Sequence, residues 1–171
     1  MVLHPSEPDT SGALTDYCPR PVAGFAPSRI VLAKGAVSSE SRRGLAEKIC
    51  SAYPHAEVVG APATAHNRIR LEQTAALGLY DEGRQTLVLA EHRSAVRQSS
   101  EDGNNCPNYW HFSPYGFCPY ACAYCYLAGT QGVRFSPTVK VFVNLPEILA
   151  QVDAVARRLG EPTAFYLGKL Q

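Results

Sequence analysis

Three cysteines close together in the chain, Cys118, Cys122 and Cys125, constrain its fold more than any other feature. Three residues separate the first pair and two separate the second, within the segment YWHFSPYGFCPYACAYCYLAGT. An odd number of cysteines joined by such short loops does not fit a disulfide framework. Three thiolates on one short loop can instead converge on a single metal centre. The sequence therefore predicts a loop that folds around a metal.

The number of thiolates narrows the choice of metal. A structural zinc takes four protein ligands, and a four-iron, four-sulfur (4Fe-4S) cluster usually takes four cysteines. With three cysteines, one iron of such a cluster keeps an open position for a small molecule. The alternative is a zinc site in which His111 or Cys106 supplies the fourth ligand. Both hypotheses stay open on spacing alone.

The spacing C-x3-C-x2-C, with Tyr124 directly before the third cysteine, resembles the signature of the radical S-adenosylmethionine enzymes. The resemblance implies that Cys118, Cys122 and Cys125 bind a 4Fe-4S cluster and that S-adenosylmethionine chelates the fourth iron. One electron from the cluster, delivered by a donor such as a flavodoxin or ferredoxin, would cleave the sulfonium and release a 5′-deoxyadenosyl radical. By the same resemblance, Tyr124 would lie near the adenine.

The sequence around the cysteines resembles spore photoproduct lyase and its relatives. The family's C-x-Y-C-Y-L run falls on Cys122–Leu127, and its V-N-L-x-E-I run falls on Val143–Ile148. The resemblance extends back to residue 26 and passes through His66–Arg68. It implies a lyase-type enzyme of DNA repair, with DNA as the substrate.

Two departures from the family pattern bear on the activity. Relatives often carry G-E-L-x-D after the next strand, whereas this chain has Lys169 in the place of the acid. An acid there could orient the amino group of S-adenosylmethionine, and a lysine would repel it. The lyase also uses a cysteine hydrogen donor in this region, but no cysteine follows Cys125. The catalytic residues are therefore left unassigned, and whether the chain is an active enzyme stays open.

Length, charge and hydrophobicity limit the class of protein. The 171 residues are 46% hydrophobic and 18% charged, with a formal net charge of +1. These are the values of an ordinary globular domain, and they do not demand a nucleic-acid partner. No apolar run is long enough to span a bilayer, and residues 1–10 lack the features of a secretory signal. We therefore expect a cytoplasmic protein with reduced cysteines and no membrane partner.

Apolar runs and helix signals alternate along the chain in the order that is typical of an α/β fold. His66-Asn67-Arg68 follows the second apolar run, either as a ligand-contacting loop or as a capped loop before a helix. The helix after the first run begins at a Ser38 or Ser39 cap and ends at Pro54. Strands are predicted at 29–33, 56–60, 86–90, 138–143 and 163–167, and further helices at 69–78 and 144–159.

These elements predict four parts of the chain. A tail occupies 1–25, an α/β domain with a small parallel sheet occupies 26–98, and a linker occupies 99–108. Residues 109–171 begin a partial (β/α) radical S-adenosylmethionine barrel and carry the cluster loop. A whole barrel needs several units of roughly 30 residues or more, so we expect a truncated fragment. The alternatives are a non-catalytic zinc- or nucleic-acid-binding module and an inactive truncation.

Overall fold

A computed structural model describes residues 19–99, 109–120, 122, 124, 125 and 135–168. Most of the predicted tail and of the predicted linker lies outside the described residues, as do Cys106 and Lys169. The described elements alternate between strand and helix over the first half of the chain. In chain order they are β1 (Arg29–Leu32), α1 (Glu40–Ser51), β2 (Glu57–Gly60), α2 (Ala76–Arg84), β3 (Thr86–Ala90), β4 (Val96–Gln98), β5 (Trp110–Phe112), β6 (Tyr115–Gly116), β7 (Val139–Phe142), α3 (Leu145–Leu159) and β8 (Phe165–Leu167).

Four parallel strands and one antiparallel edge strand form the larger sheet. Its spatial order is β2-β1-β3-β7-β6, and only β6 runs antiparallel to its neighbour. The chain leaves β1 for β2 on one side and then returns to β3 on the other side. This reversal makes the crevice between β1 and β3 the switch point of the sheet. The predicted α/β class with a parallel sheet is confirmed.

Helices cover both faces of the larger sheet. All five residues of β3 are buried. Ala46 and Ile49 of α1 pack in one apolar cluster with Leu89, while Ile148 of α3 packs in the other cluster with Val88. Because neither face of the central strands meets water, β3 is apolar at successive positions instead of alternating with polar residues.

A second, three-stranded sheet has the order β4-β5-β8. β4 pairs antiparallel with β5, and β5 pairs parallel with β8. Val139–Phe142, which lies in the predicted barrel segment, pairs instead with β3 of the larger sheet. The larger sheet therefore takes strands from both sides of the linker, and the domain boundaries given above stay a prediction.

The ends of α1 and α3 follow the helix signals of the sequence. The Ser39 side chain caps α1 by accepting a hydrogen bond from the Arg42 N–H at 3.3 Å. Gly160 ends α3 in the left-handed region, at φ 67°, where glycine carries no Cβ penalty. Pro146 lies in the first turn of α3, where its missing N–H costs no helical hydrogen bond.

The helix predicted at 69–78 is wrong in its position, since α2 spans Ala76–Arg84. The physical reason is a contact from outside the segment. The Glu82 carboxylate accepts hydrogen bonds from the backbone N–H groups of Glu72 and Gln73 at 2.8–2.9 Å. These donors are satisfied by a side chain, so the segment before α2 does not need helical hydrogen bonds.

Candidate functional site

The cysteine segment begins at a strained residue. Phe117 has φ 59°, in the left-handed region that a bulky side chain rarely adopts. Its ring is buried in the apolar cluster that contains α1 and contacts the Tyr80 ring with centroids 5.5 Å apart. Strain of roughly 1–3 kcal/mol persists only where surrounding contacts hold the residue. The buried ring therefore fixes the point from which Cys118 follows.

The three cysteines differ in exposure. Cys118 and Cys125 are half-buried, Cys122 is exposed, and none of the three forms a disulfide. The Cys125 N–H donates to the Cys122 carbonyl at 3.1 Å, which makes a tight turn between the two. Tyr124, the residue that the resemblance places near adenine, is 89% exposed. An exposed ring is available to a ligand.

Tyr80 of α2 lies against two of the three cysteines. Burial raises the pKa of the Tyr80 phenol, and Cys125, with whose side chain the phenol forms a hydrogen bond, raises it further. The charge of Cys118 acts in the same direction, whereas Arg84, whose guanidinium lies 5.2 Å from the ring centroid, lowers it. The sequence analysis missed Tyr80. No local sequence pattern marks Tyr80 as part of this site.

The donor set of the cysteine segment fits a thiolate-bound metal group. Three thiols without a disulfide lie within one short segment, and two of them, Cys125 and Cys118, raise the pKa of the Tyr80 phenol. In the part of the chain that is described, no three His, Cys, Asp or Glu side chains are gathered as a ready metal site. Ligation by the three cysteines therefore stays a prediction. His111, the candidate fourth zinc ligand, is buried in β5.

A cleft of ≈ 510 Å³ opens at the carboxyl ends of the parallel strands, beside Phe117. Lys34 follows β1, His66 and Asn67 follow β2, and His92 follows β3, and all four line the cleft. Ligands of open α/β sheets bind in the crevice outside the carboxyl ends of the strands, at the switch point. The cleft has this position.

Two imidazoles and one phenyl ring form the floor of the cleft. The ring centroids of His66 and His92 are 5.2 Å apart, and those of His92 and Phe142 are 4.6 Å apart. Burial lowers the pKa of His66, and the charges of Lys140 and Arg97 lower it further. Burial also lowers the pKa of His92 to about 4, with His66 and Arg97 adding to the effect. Both imidazoles are therefore neutral at neutral pH and can donate and accept hydrogen bonds.

Lys140 of β7 is a buried cation beside these rings. Its ammonium donates to the carbonyls of Ser136 and Thr138 at 2.8 Å each. Burial lowers the pKa of Lys140 to about 8. The ammonium form is therefore desolvated but hydrogen-bonded at neutral pH, and an anion in the cleft would stabilise it.

Of the motif His66-Asn67-Arg68, the structure brings two residues into the cleft. His66 and Asn67 line it, while Arg68 does not and is exposed. The loop explanation that the sequence left open, a ligand-contacting loop at the exit of β2, agrees with this placement. The helix begins beyond the motif, at Ala76, so whether the motif contacts a ligand or only forms the loop before that helix stays a prediction.

The fold and the cysteine segment together define an α/β protein of the radical S-adenosylmethionine class. A family model of spore photoproduct lyase matches residues 25–167. The chain belongs to the spore photoproduct lyase family. A search of curated proteins finds no match.

Solved structures of spore photoproduct lyase share the fold. A double mutant with bound AdoMet and dinucleoside spore photoproduct is 25% identical, with a TM-score of 0.64, over 85% of this chain and 41% of that one. A cysteine-to-serine mutant is 26% identical with a TM-score of 0.64 over the same shares. The lyase complexed with dinucleoside spore photoproduct is 25% identical with a TM-score of 0.60, over 82% of this chain and 39% of that one. The chain thus spans about two fifths of the length of these lyases.

The structure describes three helices, α1, α2 and α3. None of them is both long enough and apolar enough to cross a bilayer.

Proposed function

We propose that this chain corresponds to the cluster-binding part of a radical S-adenosylmethionine enzyme that acts on a DNA lesion. Cys118, Cys122 and Cys125 hold a 4Fe-4S cluster, and S-adenosylmethionine binds its open iron. When bound, the cluster supplies the electron that cleaves the sulfonium and starts radical chemistry. The observation that carries the proposal is the cysteine segment itself, anchored by Phe117 against α2 within a match to the lyase family over 25–167.

The residues of this chain have separate tasks in the proposal. The three thiolates hold the cluster, and the Tyr80 hydroxyl donates to the Cys125 sulfur. Hydrogen bonds to cluster sulfurs and exposure to solvent are the protein's means of setting a reduction potential. Phe117 and Tyr80 shield one side of the segment from water. Tyr124 is exposed and free to contact the adenine of S-adenosylmethionine.

The substrate in this proposal is DNA that carries a lesion. Support comes from the related lyase structures that hold dinucleoside spore photoproduct. The proposal includes an external one-electron donor, such as a flavodoxin or ferredoxin, because the cluster must be reduced before it can cleave the sulfonium. The expected setting is the reducing cytoplasm, where thiols stay free to bind iron.

Anaerobic reconstitution with iron and sulfide tests the proposal. We expect the absorbance and electron paramagnetic resonance of a reducible 4Fe-4S cluster, with a spectrum that changes when S-adenosylmethionine is added. Cys118→Ala, Cys122→Ala and Cys125→Ala should each lose the cluster. Cys50→Ser is the matched control, because Cys50 is half-buried on α1 and lies outside the segment.

A contrary result is well defined. If the purified chain holds zinc, takes up no iron under reducing conditions, and loses the zinc in the three alanine variants, the cysteine segment is a structural zinc site. That outcome removes the radical chemistry and leaves a binding module.

A further inference from the structure

We propose that the cleft at the carboxyl edge of the larger sheet binds a nucleotide unit through its phosphate. The phosphate can belong to a nucleic-acid strand or to a free nucleotide, and both present the same chemistry. This site adjoins the cysteine segment at Phe117 but includes none of the three cysteines, so its test needs no cluster.

The position of the cleft is that of a ligand site in an open α/β sheet. It is lined from the loops after β1, β2 and β3, which meet at the switch point of the sheet. Its volume, ≈ 510 Å³, lies within the range of roughly 300–1,000 Å³ that small-molecule sites occupy. The cleft is therefore large enough for one nucleotide.

The charge of the cleft favours an anion. Among the described residues that line it, Lys34, Arg93, Arg97 and Lys140 carry positive charge, and Glu91 alone carries a carboxylate. That carboxylate is already neutralised, because its oxygens accept from Arg42 at 3.0 Å and from Arg93 at 2.8 Å. The cleft thus keeps a positive potential.

Three of these cations have no acid to balance them. Within the described residues, no carboxylate pairs with Lys34, Arg97 or Lys140. Arg97 donates only to the backbone and hydroxyl of Ser94, and Lys140 only to backbone carbonyls. Cations without counterions in a concave site attract phosphate.

The lining also offers a surface for a planar base. Tyr115 is 40% exposed and Phe135 is 71% exposed at the cleft. The neutral imidazoles of His66 and His92 add groups that both donate and accept hydrogen bonds. Cations next to exposed aromatic rings are the usual combination for binding a nucleotide without sequence readout. A sulfate-like anion alone would use only part of this lining.

Side-chain hydrogen bonds between neighbouring elements hold the lining in place. The side chain of Asn144, which is 2% exposed, bonds to both backbone groups of His92. Arg42 joins Glu91 to Glu147, and so connects the loop after β3 to α1 and α3. A site held by such bonds loses little entropy when a ligand binds.

The experiment uses calorimetric titration of the full chain without added iron. The probes are thymidine, thymidine 5′-monophosphate and a short single-stranded oligothymidine. We expect the monophosphate to bind and thymidine to bind at least roughly tenfold more weakly, because the charge-assisted hydrogen bonds to the phosphate are lost. Binding of the oligonucleotide that is much tighter and steeply salt-dependent identifies a strand as the source of the phosphate, and equal binding identifies a free nucleotide.

Variants test whether the phosphate binds in the cleft or is attracted by the overall charge of the protein. Lys34→Gln combined with Arg97→Gln should weaken the binding of thymidine 5′-monophosphate roughly tenfold. Asn67→Asp should also weaken this binding, because it adds a negative charge to the lining. Arg43→Gln combined with Arg70→Gln is the matched control, because both arginines are exposed and neither lines the cleft. Circular dichroism verifies that each variant folds.

The proposal is overturned by any of three results: no probe binds, thymidine binds as tightly as its monophosphate, or the control pair weakens binding as much as the cleft pair. Because no iron is present, a failure here leaves the reconstitution experiment untouched. Conversely, a chain that takes up no iron can still bind the nucleotide.

Discussion

Asn144 and His92 are joined by two hydrogen bonds through one side chain. The Asn144 Oδ1 accepts from the His92 N–H at 2.8 Å, and its Nδ2 donates to the His92 carbonyl at 3.2 Å. Asn144 follows β7 and His92 follows β3, so the amide closes the carboxyl edge between two neighbouring parallel strands. This is the structural reason for an asparagine in the V-N-L run, since only an amide offers one acceptor and one donor in that geometry.

Replacing Asn144 with leucine should lower the free energy of unfolding by about 2–4 kcal/mol. The variant leaves the N–H and the carbonyl of His92 without their partner, and each orphaned group costs roughly 1–2 kcal/mol, the lower part of the usual range, because the site is half-buried. Urea denaturation of the full chain measures the change. Gln98→Leu, at an exposed position of β4, is the control and should shift stability by less than about 0.5 kcal/mol. Equal effects in the two variants would show that the double hydrogen bond contributes nothing.

The sequence predicted the four parallel strands of the larger sheet, though not its edge strand β6, because their signals are local. β3 lies at the predicted 86–90, and β1, β2 and β7 differ from the predicted ranges by one residue at one or both ends. Apolar runs of four or five residues bounded by turn residues suffice for such a prediction. The position of α2 required knowledge of Glu82, whose carboxylate reaches back to Glu72 and Gln73. Periodicity alone does not contain that contact.

In the candidate sites, too, some residues could be recognised from a local sequence pattern and others could not. The cysteine spacing is a local pattern and could be recognised, and His66-Asn67 could be noted at the exit of a strand. Tyr80 and Lys140 could not, because they reach their sites only through the packing of α2 and the pairing of β7. A single tyrosine or lysine carries no sequence pattern of its own.

Two glycines at helical positions should respond to alanine with opposite signs. A Cβ at Gly83 would lie 2.5 Å from the Pro137 carbonyl oxygen, whereas a Cβ at Gly44 would meet nothing within 4 Å. We expect Gly83→Ala to cost about 1–3 kcal/mol, because α2 must move away from the backbone before β7. Gly44→Ala should instead stabilise the chain by about 0.4–1 kcal/mol through the higher helix propensity of alanine. Thermal unfolding of the pair checks both signs, and a stabilised Gly83→Ala variant would contradict the close approach.

Tyr80→Phe should make the proposed cluster harder to reduce. The phenol donates to the Cys125 sulfur, and a donated hydrogen bond stabilises the more negative, reduced cluster. If the hydrogen bond stabilises the reduced cluster by about 1 kcal/mol, its loss lowers the one-electron reduction potential by roughly 40 mV. Potentiometric titration followed by paramagnetic resonance measures this shift without any substrate.

Tyr53→Phe is the control for the phenol. The Tyr53 hydroxyl accepts from the Val22 N–H at 3.2 Å, and its ring packs on Phe25, away from the cysteines. Removal of the Tyr53 hydroxyl should leave the reduction potential of the cluster unchanged. An unchanged potential in Tyr80→Phe as well would mean that the hydroxyl does not act on a cluster ligand.

The buried imidazole of His92 should make the fold less stable as pH falls. Its pKa is lowered from 6.5 to about 4 by burial, then by His66 and Arg97. Between these pH values the unfolded chain binds a proton that the folded chain does not, so the free energy of unfolding decreases from pH 6.5 toward pH 4. Urea midpoints at a series of pH values measure the slope. His92→Gln should flatten it, and His55→Gln, at an exposed position, should not. A slope as steep in His92→Gln as in the unmodified chain would place the acid sensitivity elsewhere, with His66 as the next residue to replace because its pKa is lowered by the same burial.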